Sequence, residues 1–507
     1  MNAKAIMIQG TGSHVGKSLI TAGLCRVFKQ DGLNVAPFKS QNMSNNSFVT
    51  EDGKEISRSQ AVQAEAAGIK PIVDINPILL KPTSDQGAQI ITRGRVVSNM
   101  KAVEYDKYKR DAFKIIKRSY KNLTRTFEAI VIEGAGSPAE VNLKNRDIVN
   151  MKVAQMAKSP VVLVADIDKG GVFASIIGTL GLLNPKERRM VAGIIINKFR
   201  GDFEVLKPGL DFLEKKTKKP VLGVVPYFRD ICISDEDSVS IEQEKDCNKN
   251  GKIEVKIIKL PRISNFTDFE YLEKEEDVNL KYVDKFDEIG EPDLLIIPGT
   301  KNTISDLIYL HSSQIAQKIK TIANNGTMIL GICGGYQMLG RKVMDNYNVE
   351  SSYKEIEGLG LLDIETFINK SKVTYQVKAK LSGLKNLIDC NQEISGYEIH
   401  CGRTKSNEDN FTFEVLEQIG GKKDSYEEGS ISKDGTIIGT YIHGIFENNE
   451  FRNKFINYLR RKKNIKEKDV AYFNKDLEYD KLAKLLRNSL DIPKIYEILN
   501  EGISSVR

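Results

Sequence analysis

Two short stretches of this chain carry residue types that chemistry needs. The first, Gly10-Thr11-Gly12-Ser13-His14-Val15-Gly16-Lys17-Ser18, follows an apolar run and precedes a helical pattern. Glycine-lysine-serine is the ending of a phosphate-binding loop, in which backbone N–H groups and a helix N-terminus cradle phosphate oxygens. Lys17 would reach the β- and γ-phosphates of a nucleoside triphosphate, and the Ser18 hydroxyl would ligate Mg2+. The count departs from G-x-x-x-x-G-K-[ST], because Thr11 stands where the first glycine belongs. A dinucleotide fingerprint on Gly10, Gly12 and Gly16 is the rival reading. Its last spacing is one residue too long, and the second strand ends in PFKSQN rather than an acid. Gly12, Gly16, Lys17 and Ser18 are therefore assigned to a nucleoside triphosphate.

Residues that the same sheet would deliver extend this site. Glu133 in VIEGAGSP ends an apolar run, so Ser18 and Glu133 are the candidate Mg2+ ligands. Asn197, in INKFRGD, is a candidate for reading the nucleotide base, with a turn or helix cap as the alternative. The amide-rich KSQNMSNNS, residues 39–47, follows the second strand and makes Lys39, Gln41, Asn42 and Asn45 candidate contacts for substrate or phosphate.

The second stretch is ILGICGGYQMLG, which sets Cys333 between glycines after an apolar strand and before a helical run. Glycines there permit the sharp turn of a nucleophile elbow, where a thiolate is favoured and backbone amides hold an oxyanion. A cysteine nucleophile needs a base, and the chain has four histidines: His14, His311, His400 and His443. His443 in GTYIHGIF ends a strand beyond Cys333 and ranks first; His400 in GYEIHCGRT is the competitor. Gly299 and Thr300 in IIPGTKNT, with Gly334, are candidates for the oxyanion hole and for contact with the substrate of the cysteine.

Such residues need strand ends to stand on. In the first half AIMIQ, NVAPF, AIVIEGAG, VVLVADID, GIIINKF and PVLGVVPY alternate with helical periodicity, the pattern of α/β units round a parallel sheet. After the phosphate loop Leu19, Ile20, Leu24, Val27 and Phe28 share one helix face, and Gly32 follows as a stop. A polar, acid-rich connection is expected over 229–251. A second α/β series then begins with IEVKIIKL. The expected organisation is a nucleotide-binding domain over 1–228, a second α/β domain carrying the cysteine elbow over 252–450 and a helical tail over 451–507.

Bulk properties narrow the class. The 507 residues are 40% hydrophobic and 28% charged, as expected of a chain that buries substantial cores. The net charge of +7 arises from 75 basic and 68 acidic residues in dispersed positions, which gives no support for nucleic-acid binding. Six cysteines without C-x-x-C pairs argue against zinc or a disulfide framework. With no leader pattern and no long apolar run, a cytoplasmic protein without membrane association is expected. The oligomeric state is left open.

The motifs taken in order resemble the cobyric acid synthase family, glutamine-dependent amidotransferases of cobalamin biosynthesis. GTGSHVGKS, FKSQNMSNNS, EGAGSPAE, VADIDKGGVFA, INKFRGD, LPRISNFTDF, PGTKNT, CGGYQMLG, GYEIHCGRT and YIHGIF carry the likeness across nearly the whole chain. The resemblance implies a P-loop NTPase-like domain of the dethiobiotin-synthetase type followed by a flavodoxin-like class I glutaminase domain. It implies ATP-dependent amidation of the b, d, e and g carboxylates of adenosylcobyrinic acid a,c-diamide through acyl phosphates, with Cys333 and His443 as nucleophile and base. Small molecules (corrinoid, glutamine, ATP) are the implied partners, and cobalt would arrive in the corrinoid, with no protein-bound cobalt site. Two departures stand out. No acid occurs two residues after His443, so a third triad member is unassigned, and the 39–47 segment lacks the aspartate that dethiobiotin-synthetase-like sites offer a metal. A sister synthase acting on the a and c carboxylates, or a P-loop switch with an inactive glutaminase-like domain, are the alternatives.

Overall fold

In the computed structural model, the alternating apolar runs form two separate parallel sheets. The structure describes residues 3–84, 87–228, 230, 231, 233, 251–388, 390, 392–419 and 425–505. The connection expected over 229–251, with Cys232 and Cys247, lies almost wholly outside them.

The first sheet comprises β1 (Lys4–Gly10), β2 (Val35–Phe38), β3 (Ala129–Glu133), β4 (Val161–Asp166), β5 (Val191–Phe199) and β6 (Val221–Pro226). Its spatial order is β6-β5-β4-β1-β3-β2, with every pairing parallel. Strands covered on both faces need apolar residues throughout, which is why β3 and β4 read as continuous runs and are buried along their length. The third strand, not the second, lies beside β1, unlike the dinucleotide-binding order 3-2-1-4-5-6. That order disposes of the dinucleotide reading. It also sets Glu133 in register with Ile8, next to the loop that follows β1. From that loop springs α1 (Lys17–Gln30), whose Ile20, Leu24, Val27 and Phe28 are buried as the periodicity requires.

Between β2 and β3 the chain makes a long excursion. Gln41–Met43, Ile78–Ser84, Gly87–Thr92 and Arg95–Lys101 form a four-stranded sheet, while Ser47–Val49 pairs antiparallel with Glu55–Ser57 ahead of α2 (Arg58–Ala67). Gln41–Met43, Ser47–Val49 and Glu55–Ser57 are three residues each and carry polar side chains inward, so hydrophobic periodicity gives little sign of them.

The second sheet contains β7 (Ile253–Ile258), β8 (Val278–Val283), β9 (Leu294–Ile297), β10 (Met328–Ile332), β11 (Ser430–Ile431) and β12 (Ile437–Thr440), in the order β8-β7-β9-β10-β12-β11. Its parallel part has the flavodoxin-like order 2-1-3-4-5, and β11 closes the edge antiparallel. The Cys333 elbow follows β10 and leads into α3 (Gly334–Leu339). A further antiparallel sheet built on Ile364–Leu381 and Ile394–Ser406 brings Ile399 over that elbow.

The final helices divide between the two domains. Phe451, Phe455, Ile456 and Leu459 of α4 (Asn449–Lys462) belong to the second-domain core. By contrast α5 (Lys475–Ser489) and α6 (Ile492–Glu501) return to the first domain, where Leu486, Ile495, Ile498 and Leu499 share a core with β1 and α1. Arg26 of α1 secures the return through Asp476 at 2.8 Å and Asp480 at 2.7 Å. Among the described residues, no helix is long and apolar enough to cross a membrane.

Candidate active sites

The phosphate loop depends on Gly16, whose φ of +98° is open to glycine and whose Cβ, were there one, would stand 2.0 Å from Asn197 Nδ2. Lys17 Nζ folds over the loop and donates to Gly12 O at 2.7 Å and Gly136 O at 3.2 Å. Ser18 Oγ donates to Glu133 Oε1 at 2.8 Å, the meeting prepared by the β1–β3 register. Two hard oxygens side by side form a donor set suited to a hard divalent cation that completes its shell with phosphate and water.

Of the residues expected to meet substrate, Lys39 comes to the same carboxylate, its Nζ 2.8 Å from Glu133 Oε1. It pairs with a glutamate that is itself fully buried, so each charge offsets the other. Gln63 of α2 completes the cluster by donating to Glu133 Oε2 at 2.6 Å. Gln41 Oε1 accepts from Tyr105 Oη at 2.5 Å. Asn42 Nδ2 donates to Ser57 Oγ, Ser59 Oγ and Gln60 Oε1, so this amide organises the excursion from within. Asn45 Oδ1 is a buried acceptor with no hydrogen-bond partner among the described residues. Asn197 Nδ2 donates to Val15 O at 2.9 Å, which turns this side chain to bracing the loop.

At the other centre, Cys333 has φ +53° and ψ −106°, a strained conformation for any residue with a side chain and one associated with nucleophile elbows. The following Gly334 permits the turn: a Cβ there would come 2.6 Å from Thr300 Cγ2. Gly299, Thr300 and Gly334 thus converge beside the cysteine, with Gly299 next to His443. Thr300 is held by its hydroxyl, which donates to Asp306 Oδ2 at 2.5 Å.

His443 is the histidine equipped to act on Cys333. Its Nδ1 lies 2.6 Å from Asp268 Oδ2, while Asp268 Oδ1 accepts from Gly444 N at 3.1 Å. Its Nε2 meets no hydrogen-bond partner among the described residues and borders the cavity that also contains Cys333. Burial disfavours the charged imidazole, but the Asp268 carboxylate and, beyond it, Cys333 outweigh burial and lift its pKa to about 10. His400 lines the same cavity yet is turned to other partners, with Nδ1 2.7 Å from Gly402 O and its ring stacked on Tyr441 at 3.8 Å.

The cavity is polar and spans the domain boundary: Lys301, Glu350, Lys372 and, from the first domain, Lys81 line it together with Cys333. Burial pushes the Glu350 carboxyl up to about 7 despite Lys301, and burial lowers Lys81 to about 8 despite Glu55. Lys81 donates to Ser47 Oγ at 2.9 Å and Glu55 Oε1 at 3.0 Å, a buried cluster that Lys372 joins from the second domain.

Sequence reasoning passed over Asp268 and Gln63. Asp268 lies in LPRISNFTDF, 175 positions from the histidine it serves and without a glycine-flanked strand end to mark it. Gln63 lies in a plain helical stretch, and nothing in its neighbours marks it.

Residues 6–241 match the CobQ/CobB/MinD/ParA nucleotide binding domain, and residues 254–451 match the CobB/CobQ-like glutamine amidotransferase domain. Over 99% of its length the chain is 50% identical to the cobyric acid synthase of Dehalococcoides mccartyi (strain CBDB1), covering 100% of that protein. It is 51% identical to the cobyric acid synthase of Thermoanaerobacter sp. (strain X514), over 98% of this chain and 99% of the relative. The cobyric acid synthase of Clostridium novyi (strain NT) is 50% identical, over 99% of both chains.

Proposed function

The chain belongs to the cobyric acid synthase family, and we propose on that premise that it amidates the b, d, e and g carboxylates of adenosylcobyrinic acid a,c-diamide with ATP and glutamine, yielding adenosylcobyric acid. The observation that carries this reading is the pairing in one chain of a Lys17–Ser18–Glu133 phosphate loop with a Cys333–His443–Asp268 constellation. The first suits activation of a carboxylate as an acyl phosphate; the second suits release of ammonia from an amide.

In the second domain the Cys333 thiolate attacks the glutamine amide carbon, with the backbone near Gly299, Thr300 and Gly334 available to the oxyanion. His443 gives its Nε2 proton to the departing ammonia and then takes one from the water that hydrolyses the thioester to glutamate. Asp268 holds the imidazole by Nδ1 and favours its charged form. In the first domain Lys17 and the loop amides steady the charge on the transferring phosphoryl group, leaving an acyl phosphate open to ammonia. Mg2+, held by Ser18 and Glu133, would supply further charge neutralisation at the phosphates. Lys39 and Gln63 hold the Glu133 carboxylate in place.

An intact Cys333–His443–Asp268 arrangement favours a working glutaminase over a switch protein carrying an inert one. Incubation with ATP, Mg2+, glutamine and candidate corrinoids, followed by mass measurement, tests the reading. One added amide at each of the b, d, e and g positions of the a,c-diamide is the expected result. Amidation confined to cobyrinic acid itself would favour the sister synthase.

A further inference from the structure

The turn that carries Asp268 is held from across the domain boundary. Asp268 lies in the short 3₁₀ segment Phe266–Phe269, and Asn265, which opens it, has φ +54°. Asparagine enters that left-handed region at a cost that its surroundings must offset. Those surroundings come from the first domain and from Tyr397 of the second. Asn46 Oδ1 accepts from Phe266 N at 3.1 Å. Ser47 N donates to Asn265 Oδ1 and Ser47 O accepts from Asn265 Nδ2, both at 3.4 Å. A third contact closes the group: Asn265 Nδ2 donates to Tyr397 Oη at 2.8 Å, and that hydroxyl donates to Ser47 O at 3.1 Å. The Tyr397 ring in turn stacks on His443, with centroids 5.3 Å apart and planes 17° from parallel. Asn46 and Asn265 are each 1% exposed, so water does not replace these bonds when one is lost.

We propose that Asn46 and Tyr397 are positioning residues for glutamine hydrolysis: the first domain, through Asn46 and Ser47, holds the Asp268 turn and the Tyr397 ring that together orient His443. Neither residue touches the reacting atoms. The triad is complete only when residues 46–47 are docked, so the segment that follows the Lys39 site governs the rate at which ammonia is made. This inference rests on the reading of Cys333, His443 and Asp268 as a glutaminase.

Tyr397→Phe is the most informative variant, since it keeps the ring on His443 and removes the hydroxyl bonds to Asn265 and Ser47. Asn46→Ala removes the acceptor of Phe266 N. Asn46→Asp restores an acceptor and loses no donated bond, because Asn46 Nδ2 has no partner among the described residues. With the full chain, ATP, Mg2+ and the corrinoid present, Tyr397→Phe and Asn46→Ala should lower kcat for glutamine hydrolysis by about 10- to 100-fold with little change in KM, the loss expected of a misplaced catalytic group.

Amidation supported by concentrated ammonia should stay within about twofold of wild type in Tyr397→Phe, and Asn46→Asp should recover most of the hydrolysis lost in Asn46→Ala. In both weakened variants the alkaline limb of kcat should move to lower pH, because a displaced Asp268 no longer keeps His443 charged. Unchanged hydrolysis in Tyr397→Phe and Asn46→Ala would overturn the proposal. So would an equal fall with glutamine and with ammonia, which would mark a purely structural contact. If the wild type hydrolyses glutamine but amidates no corrinoid, the function proposed above fails, while the variants' hydrolysis rates still decide the positioning roles.

Discussion

Asp268 Oδ2 lies 2.6 Å from His443 Nδ1, although 175 positions separate the two in the chain. The carboxylate stands in the connection between β7 and β8 while the imidazole follows β12; those strands are not adjacent in the sheet, so the connection beyond β7 carries Asp268 across to His443. Both side chains are nearly sealed from solvent, at 3% and 1%. An imidazole ring so placed has one tautomer and one orientation available, with Nε2 left for Cys333 and the leaving ammonia.

Asp268→Asn preserves the shape of the site and removes the charge. Glutamine hydrolysis should then fall by roughly 10²- to 10⁴-fold, as happens when an orienting acid is lost from a comparable triad. Ammonia-supported amidation should persist, because the first domain is untouched. Comparing steady-state rates with the two nitrogen sources checks both halves.

The same pair predicts a pH-dependent stability. His443 titrates near 6.5 when unfolded but near 10 in the fold, where Asp268 opposes the cost of burial. Its stabilising contribution is therefore complete below about pH 6.5 and is lost as pH rises through about 10. The gap in second-domain stability between wild type and Asp268→Asn should narrow over that window. Chemical denaturation at pH 6, 8 and 10 measures it, and a gap that widened with pH would contradict the assignment.

Cys333→Ala should lower glutamine-supported amidation at least roughly thousandfold and spare the ammonia-supported reaction, since it removes the nucleophile and nothing else.

Lys17→Ala should instead lower amidation from either nitrogen source by roughly a hundredfold or more, because both routes need the acyl phosphate. Mass analysis of the corrinoid product separates these two patterns.

Cys333 and His443 could be read from the sequence because each stands at the end of an apolar run beside glycines that announce a turn, and Lys17 and Ser18 because they close a glycine-rich loop and open a helix. Their partners could not. Asp268 reaches His443 from the connection that follows β7, and Gln63 meets Glu133 because α2 packs beside the β3 strand end; proximity of that kind leaves no mark in local spacing. The amides of residues 39–47 show the converse. Their composition suggests ligand contact, but Asn42 spends its donors on Ser57, Ser59 and Gln60, and composition alone cannot tell an inward amide from an outward one. The two sheets were legible from alternation, whereas the inserted excursion over 41–101, with its three-residue strands and inward polar side chains at 41–57, was not.

The last helices supply a prediction about stability. The pattern DKLAKLLRNSLDIPKIYEIL announces apolar helix faces but does not say which core receives them. Leu486 of α5 is 0% exposed and belongs to the core containing Ile6, Ile8, Leu24 and Phe28 of the first domain. A Cβ on Gly23 of α1 would stand 2.4 Å from Leu486 Cδ1, a measure of how closely the helices approach. Leu486→Ala should therefore destabilise the nucleotide-binding domain by about 2–5 kcal/mol, through lost burial and a cavity that its neighbours cannot fill. The second domain should be spared, because α5 contributes nothing to the core that holds Phe451 and Phe455. Hydrogen exchange resolved by segment distinguishes the outcomes. Loss of protection in β1 and α1 with β9 and β10 unchanged fits the return of α5 to the first domain, whereas loss confined to β9 and β10 would contradict it.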